Sequence, residues 1–71
     1  MKVDVYAALS PERRDALVAA VASHDTLERV IHWGLAHRPP KLIERVVVQD
    51  EYTHDVVLRA ADDAWLVYDT T

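Results

Sequence analysis

The chain has 71 residues, room for one α+β domain (1–71) and no second. It contains no cysteine, so disulfides and thiolate-held zinc are excluded as supports for so small a core, and oligomerisation is the simplest remaining support. A hydrophobic share of 51% with 28% charged residues suits a folded globular protein, and a formal net charge of −4 opposes phosphate-backbone binding.

Basic residues concentrate only at Arg13-Arg14 and between Arg38 and Arg45, and nearby acids dilute both. No apolar run approaches the roughly 20 residues a membrane span requires. Met1-Lys2-Val3-Asp4 lacks the apolar core of a secretory signal, so a cytoplasmic location is the default expectation.

In chain order, Val3 and Val5 alternate with Lys2 and Asp4, as an edge strand would. Ala7-Ala8-Leu9 is poor strand material, and the segment is expected to form a short helical turn capped by Asp4. Ser10-Pro11-Glu12 then marks a helix start: the serine oxygen can take an orphan N–H, and proline suits the first helical position. The first helix is expected over 11–22, with Leu17, Ala20 and Val21 on its apolar stripe. Asp25-Thr26-Leu27-Glu28 has capping-box spacing, with Asp25 as the cap. Leu27, Val30, Ile31, Gly34 and Leu35 follow at helical spacing, predicting a second helix over 26–37 that ends before Pro39-Pro40. Three runs rich in β-branched and aromatic residues come next, at 42–49, 53–60 and 64–69. Asp50-Glu51 and Asp62-Asp63 separate them, which predicts a three-stranded antiparallel meander.

Those strands carry the functional hint. Val46-Val47-Val48, Val56-Val57-Leu58 and Trp65-Leu66-Val67-Tyr68 send apolar side chains to both faces of a sheet. Two short helices cover one face, and an uncovered apolar face marks an interaction surface. Val47, Val57, Trp65 and Tyr68 are the candidate interface residues. Trp33, at the margin of the second helix's stripe with Arg29 one turn before it, is the fifth.

Catalytic candidates are weak. Asp50, Glu51, His54 and Asp55 could ligate a divalent metal or pair as acid and base, but acids in a hairpin turn are first of all turn formers. His-Asp occurs twice, at His24-Asp25 and His54-Asp55, and Asp25 is already assigned to a helix cap. Ser10 and Ser23 are cap or turn residues, and one glycine cannot make a phosphate loop. No cofactor is expected.

The expected function is a non-enzymatic protein–protein interaction or regulatory module that homodimerises through its sheet. Two alternatives belong to other classes. If Lys2–Tyr6 is a strand, the element order resembles that of RelE/ParE-type toxins, which would imply nucleic-acid binding or cleavage. The other is a small metal-binding hydrolase using His54 with Asp50, Glu51 or Asp55.

Overall fold

A computed structural model describes residues 1–52 and 54–69. Its elements are β1 (Lys2–Ala7), α1 (Pro11–Ala22), α2 (Leu27–Ala36), β2 (Ile43–Gln49), β3 (Asp55–Ala61) and β4 (Ala64–Asp69). The strands form one antiparallel sheet in the order β1-β2-β3-β4. Both helices lie on one face of it, α1 against β1 and α2 against β4, β3 and β2. The class is α+β, and among the described residues no helix is long and apolar enough to cross a membrane.

The sheet has four strands, not three. The segment expected to be a helical turn is β1, because its N–H and C=O groups find a full-length partner in β2, from Lys2 opposite Gln49 to Tyr6 opposite Arg45. Val5 is buried and Val3 and Ala7 half-buried, while Lys2 and Tyr6 point outward, so the period-2 signal prevails over the poor strand propensity of the alanines. The register then slips between Tyr6 and Ala7, placing Ile43 opposite Ala7 and leaving Glu44 as the extra residue of a β-bulge. Because of that bulge Ile43 and Val46 are both buried, although they lie three positions apart.

Helix α1 starts where the sequence places it, with the Ser10 Oγ accepting from the Arg13 N–H at 3.4 Å. Of its residues only Val21 is fully buried, and its alanines are mostly exposed. Helix α2 differs at its cap. Thr26, not Asp25, accepts from the Arg29 N–H (3.3 Å), while Asp25 makes an ion pair with Arg29 at 3.1 Å and Glu28 lies 4.0 Å from His32. The β-branched threonine holds the extended backbone a cap requires, which leaves the carboxylate free to meet the guanidinium one turn on. At the other end the His37 Nδ1–H donates to the Trp33 carbonyl at 2.7 Å. Leu35, expected on the buried stripe, is 65% exposed.

Among the described residues, nine apolar ones make the core: Val5, Val21, Val30, Ile43, Val46, Val48, Val56, Leu58 and Trp65. Gly34 sits directly over it. A Cβ built on Gly34 would stand 2.5 Å from Leu58 Cδ2 and 3.4 Å from Val67 Cγ2, so the missing side chain lets α2 approach β3 and β4 closely.

The hairpin turns have distinct chemistry. Asp62 and Asp63 both have positive φ (47° and 66°) between β3 and β4, the signature of a two-residue type I′ turn. Between β2 and β3, Asp50 Oδ1 accepts from the backbone N–H groups of Tyr52 and His54, each at 2.9 Å. The expected start of the second meander strand at residue 53 lies outside the described residues; β3 is assigned from Asp55.

Candidate functional site: the open face of the sheet

Alternation along the strands decides which side chains leave the core. Val46 and Val48 are buried, so Val47 points the other way. Val56 and Leu58 are buried, so Val57 does too, and Trp65 and Val67 turn inward while Leu66 and Tyr68 turn out. Cross-strand register then assembles the open face in rows. Asp4, Val47, Val57 and Tyr68 form the middle row, one residue from each strand. On one side of it lie Lys2, Gln49 and Asp55; on the other lie Tyr6, Arg45, Arg59 and Leu66.

The apolar part of this face is continuous through Val47, Val57, Tyr68 and Leu66, the last two being 49% and 43% exposed. A shallow depression of about 430 Å³ lies over Val57, between Arg45, Arg59, Tyr68 and Asp69. Arg45 and Arg59 oppose each other directly on β2 and β3. Among the described residues neither takes part in an ion pair; the Arg45 guanidinium lies 5.3 Å from the centre of the Tyr6 ring. Like charges directly opposed on neighbouring strands repel, so this end of the face attracts anionic groups. Lys2 and Asp4, at the β1 edge, are 3.8 Å apart.

Of the five residues expected at an interface, Val47, Val57 and Tyr68 share the middle row. Trp65 does not join them. It is 4% exposed, on the helix side of the sheet, with its ring centre 6.4 Å from that of Trp33. Trp33 is half-buried at the margin of the same layer. Its ring stacks on His37 (4.7 Å between centres, 22° between planes), not on Arg29, which is engaged by Asp25. The alternation inside Trp65-Leu66-Val67-Tyr68 allowed either parity, and packing under α2 selected the one that buries tryptophan.

The four polar candidates do not come together as a ligand set. Asp50 and His54 meet across the turn (His54 Nδ1 to Asp50 Oδ2, 3.2 Å), Glu51 is exposed at the turn's tip, and Asp55 is half-buried on the open face. Desolvation pushes the Asp50 carboxyl up. The backbone N–H groups of His54 and Tyr52 and the His54 imidazole outweigh it and hold the group below its ordinary value. This is the chemistry of a carboxylate organising a hairpin. Among the described residues no three His, Asp or Glu side chains are grouped to hold a metal ion.

The Arg45–Arg59 pair escaped the sequence reading, where Arg45 counted only as part of a diluted basic stretch. A signal was present: each arginine stands two positions from a central valine, hence on the same face as Val47 and Val57. Finding it required the pairing of β2 with β3. No protein family, curated protein or solved structure matches this chain.

Proposed function

We propose that the protein is a non-enzymatic protein–protein interaction module whose working surface is the open face of its sheet, and that it self-associates through that face. The observation that carries this reading is the row Val47–Val57–Tyr68, extended by Leu66, on the side of the sheet that neither helix covers. Burying such side chains yields roughly 25 cal/mol per Å² of apolar surface removed from water, and a domain with so small a core gains from that cover. Asp50 and His54 are engaged with each other and with the turn backbone, and among the described residues no three His, Asp or Glu side chains are grouped to hold a metal ion.

A charge placed in the middle row tests this. Val57→Asp is expected to abolish concentration-dependent sedimentation and the cross-linked species seen with the wild type, while the far-UV circular dichroism spectrum is retained. Wild type and Val57→Asp behaving alike at every concentration, alone and in mixtures with candidate partners, would remove the open face from consideration.

Nucleic-acid binding is the second reading. With β1 a strand, the element order is the one that resembles RelE/ParE-type toxins, and the opposed Arg45 and Arg59 beside Tyr6 offer a small site for phosphate. It ranks second because Asp4 and Asp55 share the same face and the chain as a whole carries a net charge of −4.

A further inference from the structure

We infer that the occupant of the open face is a second copy of this chain, related by a two-fold axis running across the strands along the row Asp4–Val47–Val57–Tyr68. The inference rests on the reading of this face as a self-association surface and adds the symmetry and register of the contact. Its basis is the order of charge along the two central strands. In steps of two, β3 presents Asp55, Val57 and Arg59, and β2 presents Gln49, Val47 and Arg45. On both strands the basic group lies on one side of the apolar row, and on the other side, at the same distance, lies an acceptor.

Two sheets packed face to face are related by a two-fold axis lying between them. If that axis ran parallel to the strands, the arginine row of one copy would lie over that of the other, and the charges would repel. An axis across the strands inverts the rows. It sets Val47, Val57 and Tyr68 against their own copies, Arg59 over the second copy's Asp55, and Arg45 over its Gln49. The two guanidinium groups that lack an ion pair within the described chain thereby each gain an oxygen acceptor. Aligned sheets cross at about 30°, which long arginine side chains can follow. Asp4 meets its own copy at the edge of the contact, with Lys2 3.8 Å away to offset the charge. The matched spacing on both strands selects the chain itself.

A face of four short strands measures roughly 20 Å by 20 Å, below the usual 800 Å² or so per partner of stable complexes, so the dimer is expected to be weak and sensitive to salt. Sedimentation equilibrium from about 5 to about 500 µM is the test, with Arg59→Asp, Asp55→Arg and the double exchange. Each single reversal sets like charges together twice per dimer and is expected to raise the dissociation constant about tenfold or more. The double exchange, which restores opposite charges across the axis, is expected to return it to within about threefold of wild type. Arg45→Glu with Gln49→Arg is the independent second pair and keeps the test open should Asp55→Arg not fold. A dimer that is weakened by Val57→Asp, but whose charge reversals have no effect or simply accumulate in the double variants, overturns the two-fold register and leaves the open-face reading intact. A wild type monomeric at about 500 µM, with a different protein bound in a Val57-dependent way, overturns the second copy and self-association together and keeps only the open face as an interaction surface. A dimer untouched by Val57→Asp overturns both.

Discussion

Gly34 shows how much one residue sets in a core of this size. Alanine here would gain up to about 1 kcal/mol of helix propensity. Its methyl group, however, would stand 2.5 Å from Leu58 Cδ2, and Leu58 is fully buried, so its isobutyl end must shift within the core. Overpacking of this kind costs about 1–3 kcal/mol, so the net effect of Gly34→Ala is expected to be destabilising. Urea unfolding would measure it, and adding Leu58→Val should recover part of the loss by clearing the clash; a stabilised Gly34→Ala would refute the close approach of α2. Trp65 shows a different residue-scale conflict. Among the described residues its buried Nε1–H finds no hydrogen-bond partner, so the indole is held for its apolar bulk against Trp33.

At the scale of elements, turns and caps were the most legible features because their chemistry is local. Helix α1 runs over 11–22 as Ser10-Pro11 dictates, and α2 (Leu27–Ala36) falls inside its expected span with the cap moved from Asp25 to Thr26. The Asp62-Asp63 turn has the right length but not the best residues. Both positions need positive φ, and at Asp63 (φ 66°) glycine adopts that conformation without a Cβ penalty. Asp63→Gly is therefore expected to stabilise the β3–β4 hairpin by about 0.5–1 kcal/mol, read as a rise in Tm; a fall would contradict a type I′ turn. The element the sequence hid is β1. Its own residues favour a helical turn as much as a strand, and what stabilises it is β2, about forty residues further on.

For the molecule as a whole, the decisive property is that a sheet with helices on one side treats adjacent residues oppositely. Val56 is 1% exposed beneath the helices, whereas Val57 is half-buried on the open face. A carboxylate at position 56 would lose several kcal/mol of hydration, comparable with the roughly 5 kcal/mol total stability of a small domain. Val56→Asp is expected to unfold the protein, while Val57→Asp lowers Tm by only a few degrees. Thermal melts of the two variants side by side check the assignment of faces; similar melts would mean that both faces are covered or that neither is.

What the sequence alone determined follows from short-range chemistry: the α+β class, helix starts at a cap or a proline, strand centres rich in valine, and acidic turns. It also showed that apolar side chains leave both sides of the strands, because the period of a strand is fixed at two. Tertiary structure decided which parity faces inward, and so buried Trp65 while leaving Tyr68 outside. It supplied β1 as the fourth strand and the bulge at Glu44 that turns Ile43 into the core. It also set Arg45 opposite Arg59 beside the row of Val47, Val57 and Tyr68. Each of these depends on register between segments far apart in the chain, and no local pattern of residues encodes register by itself.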